Sequence, residues 1–201
     1  MMFEQDAIAV FLGNWSAQLN FSSVVLRMAL AVVMGAIIGC ERSSKRHSAG
    51  LRTFILVAMA ATTAMLIDQV LFAVTGANIP VISAAAVISV ALISGNSILF
   101  SSRNQIKGLT TSAGLWACGI IGLTAGAGMY TVTLAAFFAM LVIISLFPAL
   151  ERFLKDKSNH FEVHLELTNR SNLQEFVTTI RRLGIRIDDI ESNPAYLNSG
   201  L

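Results

Sequence analysis

Charge is what this sequence has least of. Of its 201 residues, 12 are acidic and 14 basic, a charged fraction of 13% against 55% hydrophobic. An ordinary soluble domain carries about 25% charged residues. The composition therefore excludes one, and the mean hydropathy of +0.69 makes lipid the solvent for most of the chain. Cysteine is nearly absent: Cys40 and Cys118 both lie in apolar runs without Cys-x-x-Cys spacing, which leaves buried free thiols rather than a zinc site or a disulfide framework. Histidine is as scarce. His160 and His164 belong to a polar tail with no third ligand spaced to help them, so both are expected at the surface. The net charge is only +2 and the basic residues fall in short breaks rather than on one face, so nucleic acid is excluded as a partner. No nucleophile–base constellation, glycine-rich phosphate loop or metal-ligand cluster is visible, and neither enzymatic activity nor a cofactor is expected. The first 20 residues hold Glu4 and Asp6 but no lysine or arginine, so they lack the basic start of a cleavable signal peptide.

What is present is a series of apolar runs. A bilayer core about 30 Å thick needs about 20 residues of helix, because lipid offers no partner to backbone polar groups. Five runs meet this: 21–40, 53–74, 79–100, 111–128 (the shortest) and 131–150. The expected fold is an all-α membrane bundle of about five transmembrane helices. It follows an external segment, 1–20, and precedes a tail, 151–201. The breaks alternate between basic and neutral. Arg42, Lys45, Arg46, Arg52, Arg103 and Lys107 place the first and third breaks in the cytoplasm, and Arg152, Lys155 and Lys157 do the same for the tail. The amino terminus is then outside, with Trp15 and Tyr130 as interfacial anchors at the outer boundary.

Small residues recur every four positions. Ala31, Gly35 and Gly39 form a stripe on the first span, and Gly114, Cys118, Gly122 and Gly126 on the fourth, so backbones can approach closely there. The stripes suit packing within one chain or between copies of it. The tail changes character: FEVHLEL, 161–167, alternates as a strand does, 171–184 repeats at helical period with Ser171 and Gln174 at capping-box spacing, and IRIDDIES reads as a second strand. This strand-helix-strand unit is about half of a ferredoxin-like domain.

Ionisable groups inside a membrane cost several kcal/mol and are functional suspects. Arg27 and Asp68 are the two clear cases, each about 9 Å from the outer end of its span at 1.5 Å per residue. At matched depth they can neutralise each other and set the register of the first two helices; the alternative is a cation or proton site at Asp68. Glu41, at the inner end of the first span, reads as a solvated charge balanced by Arg52 or Arg103. Asp68 and Glu41 are the residues that would hold Mg²⁺ if any do, although one clear carboxylate in the membrane is sparse for an ion that prefers octahedral oxygen coordination. A homo-oligomer would bring several copies of either to one axis. Ser83, Ser89, Ser94, Asn96 and Ser97 could bond neighbouring helices from the third span.

The run GAIIGCERSSKRHSAGLRT, 35–53, resembles the first cytoplasmic loop of the MgtC/SapB family, with its glycine-rich helix end, Glu-Arg pair and Gly-Leu-Arg-Thr. IKGLTTSAGLWACGIIGLTAGAGMY, 106–130, is similar to that family's second motif. The motif positions are Glu41, Arg42, Gly50, Leu51, Arg52, Thr53, Gly108, Leu109, Thr110, Thr111 and Trp116. The third span departs from the pattern: ISVALISGNSILF stands where the family usually has a Gly-Phe-x-Gly-Ala-Gly run, with no arginine before it. The resemblance implies a multi-pass protein of the bacterial inner membrane, associated with magnesium limitation and virulence. It also implies a partner that is itself an integral membrane protein, with the F-type ATP synthase as the one implicated for the founding member. Two functions stand: a regulator of cation or proton homeostasis acting on such a partner, and a transporter of Mg²⁺ or another cation through Asp68, Glu41 and the third span.

Overall fold

The computed structural model describes residues 6–44, 49–76, 79–100, 106–156, 172–184 and 187. Two short helices, α1 (Ala7–Leu12) and α2 (Asn14–Ala17), precede the bundle helices α3 (Phe21–Ser44), α4 (Leu51–Thr75) and α5 (Val81–Gly95). A two-residue antiparallel pairing of β1 (Leu99–Phe100) with β2 (Ile106–Lys107) leads into α6 (Leu109–Ala127) and α7 (Tyr130–Asp156). The tail contributes α8 (Asn172–Arg182). Among the described residues, four helices, α3, α4, α6 and α7, are long and apolar enough to cross a membrane.

The helix expected to be shortest is not. α6 begins at Leu109 and runs 19 residues, whereas the third expected span is helical only over the 15 residues of α5, about 22 Å. The reason is local. Pro80 sits at the amino-terminal cap, and at the other end a tight turn at 94–98, closed by the Ser97 amide on Ser94 O and the Ile98 amide on Gly95 O, diverts the chain into the strand pair. Gly108 then enters α6 at φ +92, so close to the carbonyl of Ser97 that any side chain would collide with it.

α4 is the central helix, with α3 and α6 against it. The Gly35–Gly39 stripe faces α4 so tightly that a Cβ on Gly35 would lie 2.9 Å from the Cα of Ile55, and one on Gly39 2.6 Å from that of Leu51. Moving forward along α3 is moving back along α4, so the two are antiparallel. The second stripe packs on α4 in the parallel sense: the Cys118 thiol reaches Phe54 O, Gly122 abuts the backbone of Ala58, and a Cβ on Gly126 would stand 2.7 Å from Thr62 O. The Thr62 hydroxyl crosses this contact, donating to Gly122 O at 2.8 Å as well as to Ala58 O at 2.9 Å. Both small-residue stripes are thus occupied within the chain, by the close-approach packing that lipid-immersed helices use in place of hydrophobic collapse. Because α4 and α6 run parallel, α5 carries the chain back between them. Ala31, Met34, Ile38, Phe54, Val57, Leu115, Ile121, Phe137 and Met140 fill the core between these helices.

α8 falls where the tail helix was expected, and Gly184, at φ +81, stands two residues beyond its end. Ser171, His160, His164 and the first expected tail strand lie outside the described residues, as does the second strand apart from Ile187, which is not in a strand. Tyr130 is not an interfacial anchor: it is 2% exposed and donates its hydroxyl to Ser16 O at 3.0 Å, because α1 and α2 fold over this end of the bundle. Trp15, on α2, is 43% exposed.

Candidate functional site

The buried charges do not pair with each other. Arg27 is 1% exposed, and its guanidinium donates to Gln69 Oε1 and Gly126 O, both at 2.8 Å, and to Ser16 O and Ala17 O at 3.1 and 3.2 Å. These carbonyls include the ends of α6 and α2, so the cation sits on the negative poles of two helices. Gln69 completes the arrangement by donating to Ala127 O at 3.2 Å. Asp68 is fully buried and accepts the amides of Ile82 at 3.0 Å and Ser83 at 2.6 Å, which makes it the cap of α5 from one helix away. The expected Arg27–Asp68 register pair is replaced by two separate caps, because helix ends of the right polarity terminate at the depth of each charge. A helix end that stops short inside the bundle must have its orphan backbone groups satisfied, and these side chains do it.

At the opposite end of the bundle lie the motif residues. Arg42, two residues before the end of α3, is 3% exposed and donates from Nη2 to Thr111 Oγ1 at 2.7 Å in the first turn of α6. Its Nε is buried without a partner. Arg27 and Arg42, fifteen residues apart on α3, thus meet Gly126 and Thr111, fifteen residues apart on α6, in antiparallel register. Glu41 points elsewhere, into an open groove of about 490 Å³ lined also by Ile37, Cys40, Ser44, Leu141 and Ser145. Arg52 and Thr110 are exposed and Thr53 is half-buried. Trp116 is 46% exposed beside Val90 and Gly119 at the α4–α5–α6 crevice. Asn96 is the exposed carboxy-terminal cap of α5. The α5 serines mostly bond back to their own chain, Ser89 to Ala85 O, Ser94 to Ala91 O and Ser97 to Ser94 O, since a helical serine hydroxyl reaches its own preceding carbonyls most easily. Only Ser83 reaches across, through its amide to Asp68 and its hydroxyl to Met65 Sδ. Among the described residues, no three His, Cys, Asp or Glu side chains gather as metal ligands would.

Three polar contributors escape sequence reasoning. Gln69 is visible only as a neighbour of Asp68, and Thr62 as a polar residue at the spacing of the α4 core positions. Asp6 leaves no signal beyond its place before α1. It caps Ile8 and Ala9 there and also takes the amide of Thr131 at 2.9 Å and its hydroxyl at 2.6 Å, fixing α1 to the start of α7. Its partial burial, which alone would raise its pKa, is outweighed by these bonds to Thr131, Ala9 and Ile8, so the carboxyl titrates below its ordinary value of 3.8.

Comparison with known proteins places this framework. Residues 28–153 match the MgtC family. The chain is 31% identical over 147 residues to the "Putative magnesium transporter YhiD" of Escherichia coli strain K12, covering 70% of this chain and 68% of that protein. It is 28% identical over 181 residues to protein SapB of Bacillus subtilis, covering 83% and 78%. To protein MgtC of Brucella abortus it is 33% identical over 125 residues, covering 62% and 51%. No solved structure matches it significantly. With the match running from residue 28 within α3 to residue 153 within α7, the chain is a multi-pass membrane protein that belongs to the MgtC family.

Proposed function

We propose that this chain is a regulator in the bacterial inner membrane, modulating cation or proton homeostasis during adaptation to low magnesium by docking on another integral membrane protein. The observation that carries this reading is the occupation of Asp68. Both its oxygens already cap α5, so a cation using that carboxylate as a ligand would have to displace the Ile82 and Ser83 amides and free the start of a helix. The family resemblance nominates the F-type ATP synthase as the partner. The reading takes α5 as a third crossing that brings the total to five, the amino terminus as external and the tail as a cytoplasmic, partial ferredoxin-like unit. The basic residues at the ends of α3 and α7 support that orientation.

The test is co-reconstitution of the purified chain with an F-type ATP synthase in proteoliposomes. ATP-driven proton pumping falls in proportion to the amount of chain added, and the two proteins are recovered together after solubilisation. Unchanged pumping at saturating chain sinks this partner.

The name of the Escherichia coli relative favours a second reading, transport of Mg²⁺. Mg²⁺ uptake by liposomes containing the chain alone, lost on Asp68→Asn with the protein still folded, would replace the regulator by a transporter.

A further inference from the structure

Among the described residues, the amino-terminal end of α6 gathers hydrogen-bond donors and no acceptor to match them. Gly108 provides no side-chain cap, and the first intrahelical bond at this end runs from the Ser112 amide to Gly108 O at 2.8 Å. The amides of Leu109, Thr110 and Thr111 precede it and belong to the orphan donors that every helix leaves at its start. Arg42 is turned onto this same turn. Of its five N–H donors, the described structure engages only one, through Nη2 to Thr111, against four bonds at Arg27; Nε is buried and unpartnered in both. Thr111 is 2% exposed; its hydroxyl oxygen accepts from Arg42, and its proton goes to no described acceptor, unlike those of Thr62, Thr63 and Thr133, which return to carbonyls four residues back. A guanidinium enclosed with one neutral hydrogen bond is costly unless an acceptor completes it. Glu41, the preceding residue, acts on Arg42 through its charge, while its side chain lines the groove between α3 and α7 rather than this turn.

We infer that this end of the bundle is a phosphate site, in which one phosphate group takes the free edge of the Arg42 guanidinium, the Thr111 hydroxyl and the first-turn amides of α6. Phosphate fits because its oxygens accept from a planar guanidinium fork and from converging amides together, and because the positive pole of a 19-residue helix favours its charge. The site lies about 3 Å from the end of α3, at the level where a bilayer presents its headgroups. A phospholipid headgroup and a soluble phosphate therefore offer it the same chemistry. The inference is independent of whether the chain regulates a partner or carries an ion.

The experiment uses the full chain, delipidated in dodecyl maltoside and free of phosphate, titrated separately with inorganic phosphate and with dioleoylphosphatidylglycerol. Binding is read by calorimetry, and its location by hydrogen exchange at Leu109, Thr110 and Thr111. At least one probe saturates a single site and slows exchange at those amides, and Arg42→Gln weakens it about tenfold or more, as loss of a charged hydrogen-bonding partner should. A response to inorganic phosphate assigns a soluble ligand; a response to the lipid alone assigns a headgroup. Thr111→Val, which keeps the cation, should weaken binding too, with Thr111→Ser restoring it. Should the variants fail to fold, exchange in the unmodified protein decides. Saturable binding that leaves those three amides unprotected, binding indifferent to both substitutions in folded protein, or no binding of either probe overturns the inference.

Discussion

Arg27 and Arg42 belong to one helix, face the same neighbour and are equally buried, but they meet α6 at opposite poles. At the carboxy-terminal pole Arg27 finds carbonyls of α6 and α2 and the Gln69 side chain, four hydrogen bonds in all. At the amino-terminal pole Arg42 finds amides, which are donors like itself, and bonds only the Thr111 hydroxyl. The same side chain thus meets four acceptors at one end and a single hydroxyl at the other, while its Nε is buried without a partner at both. Burial and charge alone do not separate a structural arginine from one available to a ligand; the polarity of the helix end it touches does.

The comparison rests on the α4–α6 contact that fixes both ends in register, so the largest effect is expected from breaking that contact. Gly122→Val should abolish the folded protein, since its branched side chain would have to occupy the space of the Ala58 backbone. Protection of the buried Cys118 from a thiol reagent, in a Cys40→Ser background, reads this directly. Next, Arg27→Gln should lower the unfolding temperature in phosphate-free detergent by more than Arg42→Gln. Bonds to a charged group are worth about 1.5–3 kcal/mol each, and more of them are lost at Arg27. Equal losses would erase the distinction between the two ends. The exchange Arg27→Asp with Asp68→Arg should rescue neither single variant, because each charge answers a helix end of fixed polarity. Thr62→Val, midway between the two ends, should cost only about 1 kcal/mol, the range of interhelical hydrogen bonds in membranes, and leave both in place. The smallest effect belongs to Asp6. Because its folded pKa lies below the ordinary 3.8, its contribution is complete above that value and fades as pH falls through the lower folded pKa. Thermal scans should show a slight loss there in the unmodified chain and none in Asp6→Asn.

Much of the bundle was legible in advance. The four-residue recurrence of small side chains marked the faces along which α3 and α6 approach α4, and hydropathy located the four long helices within a few residues. The extent of α5 was not legible, because the turn at 94–98 sits inside an apolar run where hydropathy sees no boundary. The buried charges were recognisable as exceptional, but their partners were not. Matched depth along two helices suggests a pair, whereas Arg27 and Asp68 bond to backbone groups whose positions depend on where third and fourth helices end. Main-chain acceptors and donors carry no residue identity to read. The same holds for Arg42, whose motif was visible in the sequence while its missing partners became visible only with α6 beside it.

The double attachment of Asp6, to α1 and to Thr131 125 residues later, also bears on how the protein is made. A ribosome delivers the α1–α2 segment before the groups that hold it, and Tyr130, Thr131 and the Gly126 turn seated on Arg27 follow only after further long helices have been made. The α1–α2 segment, with its exposed apolar Phe11 and Val10, must therefore wait for these later residues before it is secured. Its docking then reports that the helices before α7 have been assembled correctly.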